Sequence, residues 1–318
     1  MKLASINNGT PDGRLVVVSS DGERCLMPES FSTLQKAVEQ WSAAEKEYRV
    51  LADQLANGKG DSLDAAACMA PLPRAWQWLD GSAFDNHGDL MQQAFKHEPI
   101  ERDKPLMYQG MSHRFFGPTE DVPFPREEDG IDFEGEFGVI TDEVPIGVSP
   151  EEALGHIKLL VMINDWSLRN LAIPEMKTGF GWVQAKPACS MAPFAVTPDE
   201  AGDAWQHGRL HLELHVEWNG EWFGNPNGGE MSVGFHDLIA HAASTRSLCA
   251  GTVIGSGTVS NHSYRKTGST CISERRGIEM LDGGKPVTDY MRFGDTVGMA
   301  AGELFGRLEQ VVCAYDRH

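Results

Sequence analysis

The sequence predicts a β-rich α+β protein, and three observations carry that prediction. From Pro71 onward the apolar residues come in short runs separated by glycine turns. The alternation of strands with long helices that marks a doubly wound sheet or a TIM barrel is missing from that region. Asn219-Gly220, the strongest short hairpin signal, stands between two strand-like segments.

Taken in order, the stretch 1–70 reads as a small separate α+β unit. Gly13 to Ser19 has a strand pattern. Ser32, with Gln35 three residues on, can cap a helix whose apolar positions are Leu34, Val38, Trp41, Tyr48, Leu51 and Leu55, and Asn57-Gly58 supplies its stop. Gly60 to Asp64 and Pro71-Leu72-Pro73 read as a linker, so the expected division is 1–70 and 71–318. In the larger part, Ser149-Pro150-Glu151-Glu152 opens a short helix that leads into Ile157 to Ile163, a strand apolar on both faces. Leu210 to Trp218 alternates, and Glu221-Trp222-Phe223 starts its return strand. Phe235 to Ala243 reads as a helix, and Gly251 to Val259 and Asp295 to Glu303 as later strands.

Charge narrows the partners. With 27 Lys and Arg against 46 Asp and Glu the formal charge is −19, and no basic run is available to displace counterions from a nucleic acid. A hydrophobic fraction of 41% is enough to build a core. The opening residues lack an apolar signal core, and the longest apolar run, Ala65 to Ala70, is far short of the roughly 20 residues of a membrane span. A cytoplasmic protein without membrane partners is expected, and its six scattered cysteines are expected to be reduced thiols.

The sharpest chemical feature is Ile131-Asp132-Phe133-Glu134-Gly135-Glu136-Phe137. On a strand Glu134 and Glu136 share a face while Phe133 and Phe137 face the opposite layer, and two adjacent like charges call for solvent or a cation between them. Further along, the apolar strand ends in Asn164-Asp165-Trp166-Ser167, which places an acid at the end of a buried element, where desolvation without a partner is costly. Three hard oxygen donors with no Cys or His pair suit Mg²⁺, Mn²⁺ or Ca²⁺ better than zinc. Asp80 and His87 lie in a segment rich in turn residues, read as a loop. Two features are read as non-catalytic: the face carrying His211, Glu213, His215 and Glu217, as solvated or interfacial, and Cys189 and Cys271, as core or lining thiols. Neither G-x-S-x-G nor H-E-x-x-H occurs, which weighs against serine hydrolases and zinc peptidases.

In order and spacing, Asp80 and His87, Glu134-Gly135-Glu136, Asn164-Asp165-Trp166-Ser167-Leu168-Arg169, Lys186 and Gly255-Ser256-Gly257-Thr258-Val259-Ser260 resemble the fumarylacetoacetate hydrolase family, over about residues 70 to 310. The resemblance implies a mixed β-sandwich roll, usually dimeric, and a compact bacterial-type member. It implies that Asp80, Glu134, Glu136 and Asp165 bind a divalent metal, usually Mg²⁺ or Ca²⁺, with Ser190 near the metal shell. By the same resemblance His87 is the general base on water, Arg169 and Lys186 stabilise the oxyanion, and Lys96, Tyr108 and Thr258 bind substrate. The family glutamate that orients the histidine would fall at Ile272, so Glu274, two residues on, is the expected replacement. Ala172 stands where the animal enzymes have an oxyanion-hole glutamine, and Ser82 where they have a substrate tyrosine.

The implied reaction is cleavage of a carbon-carbon bond in a 1,3-diketo acid, first of all fumarylacetoacetate to fumarate and acetoacetate. Fumarylpyruvate or acylpyruvate hydrolysis, isomerisation, or oxaloacetate decarboxylation would be other uses of the site. A noncatalytic protein with a structural metal is the reading from another class.

Overall fold

The structure is a computed structural model that describes residues 1–96 and 103–316. Among these, eleven strands form one mixed sheet. Its order is Asp61–Ser62, Arg24–Leu26, Arg14–Val18, Lys2–Ile6, Ala195–Val196, Ile157–Asn164, Gly135–Thr141, Thr252–Gly255, Gln77–Gly81 and Met107–Gln109, with Ser190–Met191 also on Ile157–Asn164. A second sheet runs Glu221–Gly224, His215–Trp218, Thr296–Ala300, Leu308–Ala314 and Val122–Phe124. This architecture is the β-rich α+β one that the sequence predicts.

Period-two alternation in the central strands explains why the large sheet is covered on both faces. Phe137, Val139, Leu160 and Met162 pack with Leu214, Val216, Met299 and Leu308 of the second sheet's side. Their neighbours Ile140, Leu159, Val161 and Ile163 point the other way, toward Leu15, Val17, Leu34, Trp41 and Tyr48. Residues 1–70 therefore lie against one face and also extend the sheet, because Lys2 and Leu3 pair with Val196 and Ala195.

Several local expectations shift by a residue or break. The helix start is capped by Thr33 rather than Ser32: Lys36 N donates to Thr33 Oγ1 at 3.3 Å, while the Ser32 carbonyl accepts from Leu15 N. The helix divides at Gln40 into Leu34–Glu39 and Trp41–Ala56. Ser149 and Glu152 form a reciprocal cap for Pro150–Ala153. Asn219 and Gly220 both take positive φ, at 53° and 76°, as a two-residue hairpin demands. The strand read over Leu210 to Trp218 is broken, with only His215–Trp218 joining the second sheet.

The segment Asp80 to His87, read as a loop, is irregular only at Ser82 to Phe84 and regular at both ends. Asp80 belongs to the strand Gln77–Gly81, and His87 lies in the first turn of the helix Asp85–Phe95. Asp85, Asn86 and Gly88 are turn residues in isolation. Here Asn86 Nδ2 is anchored to Ser260 Oγ at 2.7 Å and to the Asn261 carbonyl at 2.8 Å, and this tertiary tie outweighs their weak helix preference.

Candidate active site

Four neighbouring strands bring the acids together. Asp80 sits beside Gly255 on the parallel pair formed by Gln77–Gly81 and Thr252–Gly255. Gly255 in turn opposes Gly138 of Gly135–Thr141, two residues past Glu136, and Glu136 is paired with Ile163 near the end of Ile157–Asn164, the strand that Asp165 directly follows. Small residues between the acids let the backbones close. One oxygen each from Asp80, Glu136 and Asp165 lies within 4.8 Å of the others, and all three residues are buried.

Glu134 stands outside that triad, although it was expected as a fourth ligand. Its Oε1 accepts from Arg169 Nη2 at 2.5 Å and its Oε2 from Lys186 Nζ at 2.5 Å. Lys186 Nζ also donates to Asp165 Oδ2 at 2.6 Å, and Arg169 Nε donates to Asp132 Oδ2 at 2.7 Å. Tyr108, opposite Asp80 on the next strand, gives its hydroxyl to Asp165 Oδ2 at 2.6 Å and packs edge-on against Trp182, with ring centroids 4.9 Å apart.

Burial and mutual repulsion dominate the electrostatics. Burial and the charge of Asp165 push the Asp80 carboxyl well above the ordinary carboxylate range, and burial and the charge of Asp80 do the same to Glu136. Burial also raises Asp165, against the pull of Lys186. At Glu134 burial is overcome by the Arg169 and Lys186 charges, and the carboxyl is held below its usual range. Lys186 is raised despite burial by Asp165 and Glu134.

These residues fit a divalent cation. Among the described residues, no donor other than a protonated Asp80 reaches buried Glu136, an arrangement that costs free energy unless a positive partner is supplied. The donor set is all oxygen, the preference of Mg²⁺, Mn²⁺ and Ca²⁺. Five buried carboxylates, when ionised, face two cations: Asp80, Asp132, Glu134, Glu136 and Asp165 against Arg169 and Lys186. The excess is negative, which a divalent cation would offset.

His87 and Glu274 come together from separate helices. His87 Nδ1 is 2.7 Å from Glu274 Oε2, and Glu274 is fully buried in the first turn of Ile272–Gly283. An ionised carboxylate can only accept, so this contact places a proton on Nδ1 and leaves Nε2 with its lone pair.

The remaining expected residues are more remote from the acids. Thr258 is buried one residue beyond Gly257, whose N–H donates to Asp80 Oδ1 at 3.1 Å. Ser190 accepts from Trp166 Nε1 at 2.9 Å and supports Trp166 rather than touching the triad. Lys96 is exposed in the left-handed cap that ends the His87 helix, with no contact to the triad among the described residues. Cys189, read as a core or lining thiol, points Sγ at Asp165 Oδ1 at 3.0 Å. Sequence reasoning missed Asp132, which binds Arg169. The only advance signal for Asp132 was its place two residues before Glu134. Of the His/Glu face set aside earlier, His215 meets Glu217 at 3.2 Å and Glu217 pairs with Arg307.

Sequence comparison agrees with this layout. The pattern of the fumarylacetoacetate (FAA) hydrolase C-terminal domain matches residues 77–313, and that of fumarylacetoacetase N-terminal domain 2 matches residues 1–74. The chain belongs to the fumarylacetoacetate hydrolase family. A family relative, the 2,4-didehydro-3-deoxy-L-rhamnonate hydrolase of Sphingomonas sp. (strain SKA58), is 26% identical over 219 residues, 65% of this chain and 65% of that protein. The match thus spans just under two-thirds of the relative's length. Two solved structures share the fold. Maleylpyruvate hydrolase from Sphingobium sp. SYK-6, in complex with manganese(II) ion and pyruvate, aligns with a TM-score of 0.66 at 15% identity over 99% of this chain and 100% of that one. The 5-carboxymethyl-2-hydroxymuconate delta-isomerase from Mycobacterium smegmatis aligns at 0.63 and 18% identity over 100% of both. No helix among the described residues is long and apolar enough to cross a membrane.

Proposed function

We propose that this enzyme hydrolyses the carbon-carbon bond of an acylpyruvate-type 1,3-diketo acid, giving a carboxylic acid and pyruvate, with a divalent metal held by Asp80, Glu136 and Asp165. The observation that carries the reading is the placement of an all-oxygen buried triad, two cations and a His-Glu pair in one site. When bound, the metal would supply Lewis-acid charge beside the keto-acid end of the substrate, where negative charge develops as the bond breaks.

The chain's own residues account for the rest. His87 Nε2 takes a proton from water, whose oxygen bonds to the acyl carbonyl carbon, while Glu274 stabilises the imidazolium that forms. Lys186 has three N–H donors and spends two on Glu134 and Asp165; Arg169 has five and spends two on Asp132 and Glu134. Each therefore keeps donors for the oxyanion of the tetrahedral adduct. The bonding pair then leaves with the pyruvate carbon, and the proton taken by His87 is available to that carbon. Tyr108 and Trp182 supply an aromatic wall beside Lys186.

Fumarylacetoacetate, the first expectation from sequence, is the second reading. The acylpyruvate is favoured because its carboxylate stands next to a keto group, an adjacent pair of hard oxygen donors that suits a divalent ion at the Asp80, Glu136 and Asp165 triad. The His87–Glu274 pair favours hydrolysis over isomerisation or decarboxylation, since only hydrolysis needs a base on water. We further propose Mn²⁺ or Mg²⁺ before Ca²⁺, a homodimer, and action in the cytoplasm.

The test is incubation of the purified protein with fumarylpyruvate, fumarylacetoacetate and oxaloacetate, with added Mn²⁺ or Mg²⁺ and with chelator, following pyruvate, acetoacetate and CO₂. Metal-dependent pyruvate release from fumarylpyruvate is the expected result. Acetoacetate release alone would select the second reading, CO₂ from oxaloacetate alone would make the enzyme a decarboxylase, and stabilisation by metal without turnover of any of the three would leave a structural site.

A further inference from the structure

We propose that Asp132 is a positioning residue that ties the oxyanion cation Arg169 to the helix presenting Glu274, and so sets both halves of the site from one carboxylate. The proposal rests on the hydrolase reading for the roles of Arg169 and His87, and its geometry stands independently of that reading.

Asp132 is fully buried and lies opposite Ser167 on a two-residue strand pair, which puts its side chain beside Arg169 two residues later. Its two oxygens take three donors. Oδ1 accepts from Ile272 N at 2.7 Å; Oδ2 accepts from Ser273 N at 2.9 Å and from Arg169 Nε at 2.7 Å. Ile272 and Ser273 are the first two residues of the twelve-residue helix Ile272–Gly283, and the third, Glu274, gives its N–H to Cys271 Sγ at 3.2 Å.

The first N–H groups of a helix have no partner within it, and a carboxylate placed there satisfies them and complements the positive end of the helix dipole. A tertiary carboxylate does this here for the first two N–H groups, beside the cap that Cys271 Sγ gives the third. The helix can settle only where Asp132 holds it, and Glu274 is one residue past the contact. The same carboxylate fixes the guanidinium plane of Arg169, whose Nη2 reaches Glu134. A shift of Asp132 would thus move the orienter of the base and the oxyanion donor together, and angstrom-scale misplacement of such groups costs rate while leaving ground-state binding largely intact.

The experiment compares Asp132→Asn, which is isosteric, with Asp132→Ala, and each with and without Glu274→Gln. It measures kcat, KM, Mn²⁺ affinity by calorimetry, and the crystal structure. The expected result for Asp132→Asn is a fall in kcat of roughly 10²-fold with KM and Mn²⁺ affinity within about threefold of the parent, a ratio of about 0.65 kcal/mol at 25 °C. In the double variant Asp132→Asn/Glu274→Gln the losses should fall well short of multiplying, because both act through His87. A folded Asp132→Asn protein with parental kcat, or losses that multiply, would overturn the proposal. A purely structural role would lower the melting temperature without the kcat-against-KM split. If Asp132→Asn does not fold, Asp132→Ala is read by the same criteria. If the parent cleaves none of the diketo acids, the functional reading fails by itself, and the crystal structure still decides. A His87–Glu274 contact retained unchanged in the variant would refute the positioning role, and its loss would support it.

Discussion

Gly255 lies directly against Asp80: a methyl group on Gly255 would come within 2.3 Å of Asp80 Oδ1, and within 2.9 Å of Glu136 Oε2. The backbone there has an ordinary φ, so the requirement for glycine is one of space. The acids can approach one another only because this position has no side chain.

Gly255→Ala should therefore damage the metal site before it damages the fold. The new methyl would also meet the Trp78 ring at 2.3 Å, and overpacking of this kind costs about 1–3 kcal/mol. Calorimetric titration with Mn²⁺ should show affinity reduced roughly tenfold or more, since displacing the groups that orient a ligand commonly costs that much, with a folded protein by circular dichroism. Unchanged affinity would mean that Asp80 is not a ligand.

Glu274→Gln tests the base. Glutamine keeps the shape but offers no negative charge to the imidazolium, so kcat should fall by roughly 10²-fold while metal affinity stays near parental. His87→Ala should cost a similar factor, and the double variant little more. Steady-state kinetics on the preferred diketo acid decides; full activity in Glu274→Gln would free His87 from any need for its partner.

Stability of the metal-free protein should fall as pH rises. Asp80 and Glu136 hold their protons above the ordinary carboxylate range, so the folded chain binds protons that the unfolded chain has already released, and each further pH step favours unfolding. Glu134, shifted downward, has the opposite slope only at acid pH, below the usual carboxylate range. Melting curves with chelator from about pH 5 to about pH 8 should show this decline, and added Mn²⁺ should raise the midpoint more at the upper end, because metal binding displaces protons. A metal increment that shrinks with rising pH would contradict a protonated triad.

Glu175 should control the approach to Lys186. Its carboxylate accepts from the backbone N–H groups of Val183, Gln184 and Ala185 at 3.1, 2.9 and 3.0 Å, fixing the chain just before Lys186 and beside Trp182. Glu175→Ala should speed hydrogen exchange at those three amides and lower kcat severalfold, with melting temperature changed little because the segment is largely exposed. Unaltered exchange would show the segment to be held by other contacts.

Much of this site could be read from residue order. The Glu-Gly-Glu and Asn-Asp-Trp-Ser patterns place acids by strand alternation and strand endings, which are local properties. What could not be read is the division of labour. Spacing puts Glu134 and Glu136 on one face, yet Glu134 goes to Arg169 and Lys186 because those cations arrive from outside its own strand. The contact of Asp132 with Ile272 spans 140 residues, and that of His87 with Glu274 spans 187. Asp85 to Phe95 was hidden because its opening residues favour turns, and the strand Lys2–Ile6 because its partner on one side, Ala195–Val196, lies far along the chain.

The unbroken large sheet has a consequence for any attempt to shorten the chain. Lys2–Ile6 shields the outer side of Ala195–Val196, whose other neighbour, Ile157–Asn164, ends one residue before Asp165. Cutting away the N-terminal unit would bare a row of backbone donors and acceptors, together with the apolar face formed by Leu159, Val161 and Ile163. Such a raw margin invites strands from other molecules. The trimmed enzyme would precipitate, and what looks like an appendage in sequence is the hem that keeps the sheet from unravelling into its neighbours.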